Sequence, residues 1–349
     1  MIFLSQKPLL EKISVLSIPL YDKTWPSSRY RLYNYKPLLE KHGILCDVLP
    51  PPPPDFLSKI IYVIKVLYLA KQNDIVYIQK KIFKKFLLFL LHKINKNIIF
   101  DFDDALFAKP TILTKNQFDT HLVRNKLNYT LRKSKAVVVG NDFLRNYVTP
   151  INPNVYIIPT PVRLYNRSDR HHTSNKTVIG WIGRHENLHY VSNLHRVFTH
   201  LNRKYKDKLI LKIICDEPLN LDHVIVINKR WSLEEEFDDL SYIDIGIMPI
   251  GSDDWSRGKC SFKILQYMSM GIPVVASPVG MNKKVITHGA NGYLAETEKE
   301  WIIYLSKLID DHNVRKSLGY SGKQLVISKY TYEATTPLLI NVITQSATN

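Results

Sequence analysis

Arg257, Lys259 and Lys263 lie close together in the run Trp255-Ser256-Arg257-Gly258-Lys259-Cys260-Ser261-Phe262-Lys263. An apolar strand over 244–249 precedes this run, and the pattern after it predicts a helix over 262–270. Gly271 is the glycine that ends such a helix, and Pro273 opens the next strand. A helix start offers backbone N–H groups with no partner inside the helix and the positive end of its dipole. Lys259 and Lys263 are four residues apart, so on a helical turn they face the same way. Cations are disfavoured at a helix start unless an anion is present. The turn is therefore read as a diphosphate site, with Lys259, Ser261 and Lys263 as contacts. The plainer alternative is a basic, solvated first turn. A second turn, Val178-Ile179-Gly180-Trp181-Ile182-Gly183-Arg184, is a strand ending in glycine. Gly183 lets backbone come close to a ligand, and Arg184 can fork onto phosphate oxygens. The pattern GxGxxG is absent, which disfavours a nicotinamide or flavin enzyme.

Acids gather elsewhere, in Ile98-Ile99-Phe100-Asp101-Phe102-Asp103-Asp104. Three readings stay open for them: oxygen ligands for a divalent metal, caps for the next helix, or contacts to sugar hydroxyls. Asp103 is favoured as the sugar contact, with Asp101 and Asp104 structural and no metal site. Arg29, in Pro26-Ser27-Ser28-Arg29-Tyr30-Arg31, either reaches a phosphate or is a solvated first-turn arginine. Gly140-Asn141-Asp142 reads as a helix cap.

The elements that must position these residues alternate. Short runs that are apolar throughout fall at 13–18, 75–78, 98–100, 136–139 and 155–158, with helical patterns between them at 29–42, 56–71, 83–94, 118–133 and 143–148. Residues 163–176 are polar and without period, as in a linker. Strands then resume at 178–182, 209–214, 224–227, 245–248 and 273–276, with helices near 190–205, 233–240, 262–270, 298–311 and 314–328. Apolar strands separated by helices predict parallel sheets covered on both faces. The expected fold is α/β, with two Rossmann-like doubly wound domains facing across a cleft. The first spans 1–165 and the second 166–330, with 331–349 returning toward the first.

The 349 residues carry a net charge of +17. Residues 1–165 hold 25 lysines and arginines against 11 acids; the rest hold 23 against 20. A basic half calls for an anionic partner: nucleic acid, a membrane surface or a phosphorylated substrate. No nucleic-acid-binding motif is found. Lysines alternate with long aliphatic and aromatic runs at 58–70 and 80–96, as in helices that lie on anionic membranes. The plainer alternative is two helices packed on the sheet with a lysine-rich outer face. No run of 18 apolar residues occurs, and the first residues lack a secretory signal pattern. Cys46, Cys215 and Cys260 are too few and scattered for a disulfide framework or zinc site. A reducing, cytoplasmic setting, peripheral on the inner face of the cell membrane, is expected.

The order Gly183-Arg184, then 245–249, then Gly258-Lys259, Phe262-Lys263, Gln266-Tyr267-Met268 and Gly271-Ile272-Pro273-Val274-Val275-Ala276, then Gly280 and Gly289-Ala290-Asn291-Gly292-Tyr293, resembles the family 4 glycosyltransferases of GT-B fold. The resemblance covers nearly the whole chain and is strongest over 178–296. It implies a retaining, metal-independent transfer from a nucleotide sugar, a UDP-sugar by default, to a glycan or lipid-linked acceptor bound by the first domain. It makes Arg184 the phosphate-contacting arginine and Gln266 a ribose contact. It also makes Asp103-Asp104 the stand-in for the family's His-Asp pair. The sequence departs from the family at His189, where a lysine is usual, and at Gly258 and Gln266, where glutamates are usual. Lys259 and Lys263 are read as compensating for the lysine. The competing readings are a nucleotide-sugar epimerase or hydrolase on the same scaffold, and a basic binding protein without catalysis.

Overall fold

Runs rich in apolar residues become the strands of parallel sheets, the central ones buried on both faces. In the first half these are β1 (Ser14–Pro19), β2 (Leu45–Val48), β3 (Ile75–Gln79), β4 (Ile98–Phe102), β5 (Ala136–Val139) and β6 (Val155–Ile157). They form one parallel sheet in the order β2-β1-β3-β4-β5-β6. The helices between them are α1 (Pro26–Ser28), α2 (Lys36–Lys41), α3 (Phe56–Gln72), α4 (Lys85–Ile94), α5 (Thr120–Lys133) and α6 (Asp142–Val148). The computed structural model describes residues 12–110, 119–165 and 176–348. The first eleven residues, Phe118 and most of the 163–176 linker lie outside the described residues.

The second half repeats the plan with β7 (Thr177–Ile182), β8 (Leu209–Cys215), β9 (Val226–Arg230), β10 (Ile245–Met248), β11 (Val274–Ala276) and β12 (Tyr293–Leu294). Their order is β12-β11-β10-β7-β8-β9, again all parallel. Its helices are α7 (Leu188–Ser192), α8 (His195–Tyr205), α9 (Glu236–Ser241), α10 (Asp254–Arg257), α11 (Phe262–Ser269), α12 (Asn282–Val285), α13 (Glu298–Asp310), α14 (His312–Lys329) and α15 (Tyr332–Thr348). One face of this sheet packs Ile179, Trp181, Leu211 and Ile213 against Val197, Phe198 and Leu201 of α8.

Among the described residues, the first compact unit takes in 12–107, 119–158 and 336–348, and the second takes in 108–110, 159–165 and 176–335. The chain thus re-enters the first unit within α15, beside Pro337. There Tyr156 donates to Gln345 at 3.0 Å. In each sheet the strand order reverses once, between β1 and β3 and between β7 and β10. Loops leaving neighbouring strands there diverge to opposite faces, opening a crevice at the carboxyl edge.

The helix expected over 29–42 is broken. Arg29–Tyr33 forms a wider π-helical turn, and α2 starts anew at Lys36 with Pro37 in its first turn. A first turn tolerates proline because its N–H has no acceptor there. The π-turn carries the buried Arg31 side chain to Asp101, with Nε–Oδ1 at 2.7 Å and Nη2–Oδ2 at 2.6 Å.

Candidate active site

In the second unit the β7/β10 reversal brings together the two turns singled out in the sequence. β7 ends at Ile182 and passes into Gly183 and Arg184; the loop after β10 leads through α10 into α11. Lys263, in the first turn of α11, extends over the end of β7, its Nζ 5.3 Å from the Trp181 ring centre. A Cβ on Gly183 would stand 2.9 Å from Lys263 Cε and 2.6 Å from the Trp181 ring. Glycine at 183 is therefore the space that Lys263 occupies. One turn further along α11 the fully buried Tyr267 hydroxyl accepts the Ile182 N–H at 3.0 Å, tying helix to strand end. Burial pushes the Tyr267 hydroxyl pKa well up.

The start of α11 is held in an unusual backbone conformation. Ser261 lies in the left-handed region, φ 54°, and is fully buried. Its Oγ donates to Asn282 Oδ1 at 2.7 Å, and Asn282 Nδ2 donates to the Ser277 carbonyl at 2.9 Å. The first-turn N–H groups of α11 have no acceptor within the helix. Upstream, Asp253 caps α10 by accepting from the Ser256 N–H at 3.0 Å, and Tyr190 and Ser256 share a hydroxyl hydrogen bond of 3.0 Å. Gly258 caps the other end of α10. Lys259 sits with Nζ 5.4 Å from the Trp255 ring centre, and Arg257 faces Asp254 at 3.7 Å.

Arg184 projects into a polar group at the strand edge. Its Nε is 3.2 Å from Glu186 Oε2, and its Nη2 is 3.9 Å from Asp216 Oδ2. Asp216, just beyond β8, also accepts the His185 N–H at 2.8 Å and meets His185 Nδ1 at 2.6 Å. That ring hydrogen bond, with the carboxylates around it, raises the His185 pKa. Burial alone would raise Asp216, but hydrogen bonds from the His185 ring, the His185 backbone and Cys215 outweigh it and hold it at about 2. His189, where the resembling family has lysine, lies on Tyr190 with ring centres 3.9 Å apart. Its Nε2 is buried with no hydrogen-bond partner among the described residues.

Two expected donor contacts are committed inside the unit. The Ser261 hydroxyl serves Asn282, as above. Gln266 is buried and donates Nε2 to Glu236 Oε1 at 3.1 Å, while the Trp231 indole donates to Glu236 Oε2 at 2.9 Å. Gln266 is thus turned inward, onto the first residue of α9. Glu236 and the role of Tyr267 escaped the sequence reading: Glu236 is the last of three glutamates at an acidic helix start, and Tyr267 stood in a motif with no role attached to it.

The first unit has its own cluster, at the β1/β3 reversal. Asp103 Oδ1 accepts from Ser27 Oγ at 2.8 Å and from Lys80 Nζ at 3.1 Å. Lys80 also pairs with Asp104. Gln79 donates to Ser27 at 3.0 Å and accepts from Ser28 at 2.8 Å. Lys80 has left-handed backbone, φ 62°, and is buried. Burial opposes its charge, yet Asp103 and Asp104 hold its pKa above the ordinary lysine value. Asp101 is the structural partner of Arg31. Arg29 is buried and donates Nη1 to the Thr24 carbonyl at 3.1 Å, so it is not a solvated first-turn arginine. Asn141 caps α6, accepting from the Leu144 N–H at 3.0 Å.

Residues 176–311 match the family model described as "Glycosyl transferases group 1". That match covers about two-fifths of the chain and takes in Gly183, Arg184, Ser261, Lys263 and Gln266. A curated relative, an uncharacterized glycosyltransferase of Methanocaldococcus jannaschii, is 25% identical over 234 residues. That match takes in 61% of this chain and 57% of the relative. Among solved structures, sucrose-phosphate synthase of Thermosynechococcus elongatus superposes with TM-score 0.73 at 12% identity, covering 95% of this chain and 98% of its own. HepE of Anabaena, crystallised with UDP and glucose, gives TM-score 0.67 at 14% identity, with 95% and 100% covered. The two parallel-sheet α/β units are those of GT-B glycosyltransferase structures.

Proposed function

We propose that the chain transfers a glycosyl group from a nucleoside diphosphate sugar bound in the second unit. The observation that carries this is the convergence of the α11 start, Lys263 and the Gly183-Arg184 turn on one edge of the β7/β10 reversal. First-turn N–H groups supply a dipole end, Lys263 a point charge and Arg184 a fork, and together these match two linked phosphoryl groups. Lys259, over the Trp255 ring just before α11, adds a second lysine cation. As the bond to the leaving phosphate breaks, negative charge grows on its bridging oxygen, and fixed positive groups there stabilise the transition state.

A uridine nucleotide is the proposed donor, supported by UDP in the HepE crystal structure. Retention of configuration, family 4 membership and independence from metal rest on the motif resemblance. Asp103 is the first-unit residue proposed to touch a sugar. The proposed acceptor is a glycan or lipid-linked glycan, met at the inner face of the cell membrane.

The test is release of UDP from UDP-sugars in the presence of lipid-linked acceptors. Arg184→Ala and Lys263→Ala are each expected to lower release at least about tenfold, the loss of one charge-assisted contact in the transition state. Unchanged rates in both variants, with activity present in the parent, would remove the phosphate site from the second unit.

A further inference from the structure

Helices α3, α4 and α5 are three successive crossovers that step the same way across the first sheet, from β2 to β3 to β4 to β5. Right-handed connection places all three on one face of it. α3 packs beside α4, and α4 beside α5. α3 buries Tyr62, Val66 and Ala70 against the sheet, the i, i+4, i+8 stripe of a packed helix. Its opposite side should then be polar, and it is not. Leu57, Ile61, Ile64 and Tyr68, spaced four, three and four residues apart, form a second apolar stripe that faces outward. Leu57 is 66% exposed and Ile64 62%. On α4, Phe86 is 73% exposed and Phe89 also faces out. Of the nineteen large hydrophobic side chains exposed among the described residues, nine lie on α3 and α4, so the apolar surface is concentrated there.

Charge narrows the occupant. α3, α4 and α5 contain no Asp or Glu within their spans, yet hold nine lysines and arginines. Lys65 and Lys71 border the outward stripe of α3, and Lys93 lies over the Phe89 ring at 5.7 Å. A protein interface depletes lysine from its centre. Nucleic acid would meet the cations but gains little from exposed isoleucine and leucine. An anionic bilayer satisfies both features, taking the apolar side chains below its headgroups and the lysines among them.

We infer that the outward face of α3, α4 and α5 docks the protein on an anionic lipid bilayer, with α3 lying in the plane of the interface. The stripe from Leu57 to Tyr68 spans about 16 Å of helix, which favours lying flat over tip-first entry. This docking is independent of the donor chemistry and stands or falls apart from it.

The experiment measures partitioning of the full chain onto vesicles of phosphatidylcholine with or without about a third phosphatidylglycerol. Binding is expected only with the anionic lipid. K65Q/K71Q/K93Q should weaken it roughly fivefold per lysine removed, and I64S/Y68S/F86S should abolish it. Melting curves first establish that these variants fold. Should the apolar variant fail to fold, F86W serves instead, with indole emission expected to shift to the blue on anionic vesicles only. Several results would overturn the inference: full binding by both multiple variants, an unshifted F86W spectrum, or tighter binding to RNA than to vesicles at physiological salt. So would a dimer in light scattering that I64S/Y68S/F86S dissolves. A chain lacking residues 2–11 should bind as the parent does; loss of binding there, with the helix variants unaffected, would move the contact to the apolar N-terminal sequence.

Discussion

Arg184 is flanked by carboxylates before any donor arrives. Glu186 and Asp216 neutralise part of the charge that a diphosphate would meet, and the contacts are half exposed, so water screens them. Their use is orientation. Asp216 holds the His185 backbone and ring, which fixes the turn from which Arg184 projects. The pair has a defined pH window. A His185 pKa raised by folding adds stability in full below its unfolded value, about 6.5, which fades as pH climbs through the higher folded value. Asp216, held at about 2, adds stability above its unfolded value, which is lost as pH falls toward that folded value. The turn is thus best ordered between about pH 4 and 6.5. In an NMR titration of the His185 ring we expect a midpoint above that of a free histidine, falling toward it in Asp216→Asn. An unmoved midpoint would mean that Asp216 does not hold the ring.

At the scale of elements, α11 is positioned from both sides, and glycines decide how closely. Tyr267 ties it to β7, and α14 lies against its far end, where a Cβ on Gly319 would stand 1.9 Å from the Gly271 carbonyl oxygen. Backbone on both sides leaves nothing soft to yield. Gly319→Ala is expected to destabilise the second unit by about 1–3 kcal/mol or more, as overpacking does, read by denaturant unfolding. Gly43→Ala meets no atom within 4 Å but must adopt φ +81°, so it should cost only about 1–2 kcal/mol. A loss below about 1 kcal/mol in Gly319→Ala would mean that α14 moves freely away from α11.

The same packing explains what the sequence could reveal. β3, β4, β5 and β10 are buried at every position, so their apolar runs stood out. β2 is a half-exposed edge strand and β12 has two residues, and neither leaves a period to read. α15 was hidden by Pro337 and the Thr335-Thr336 pair before it. At the site, Gly183, Arg184 and Lys263 were legible because glycine and cations at strand-to-helix turns have few structural uses. Ser261 and Gln266 could be named but not aimed. Their direction depends on Asn282 and Glu236, distant in sequence and joined to them only by the fold.

For the whole molecule, charge and chemistry are distributed differently. Most of the excess positive charge lies in residues 1–165, while the residues proposed to hold a diphosphate lie in the second half, where acids almost balance bases. A nucleotide bound as proposed would meet a local arrangement of Arg184, Lys263 and a helix start, in a half whose own net charge is small. Contacts much shorter than the Debye length are screened by salt less than a diffuse field is. UDP should then raise the unfolding temperature in a concentration-dependent way, by about 2.7 kcal/mol of added stability at a hundred times its Kd. That shift should persist in K65Q/K71Q/K93Q and shrink only modestly at high ionic strength, while Arg184→Ala and Lys263→Ala diminish it. Differential scanning fluorimetry across salt concentrations separates the two halves. A shift that disappears with the first-unit lysines, and survives loss of Arg184 and Lys263, would place the nucleotide in the basic half instead.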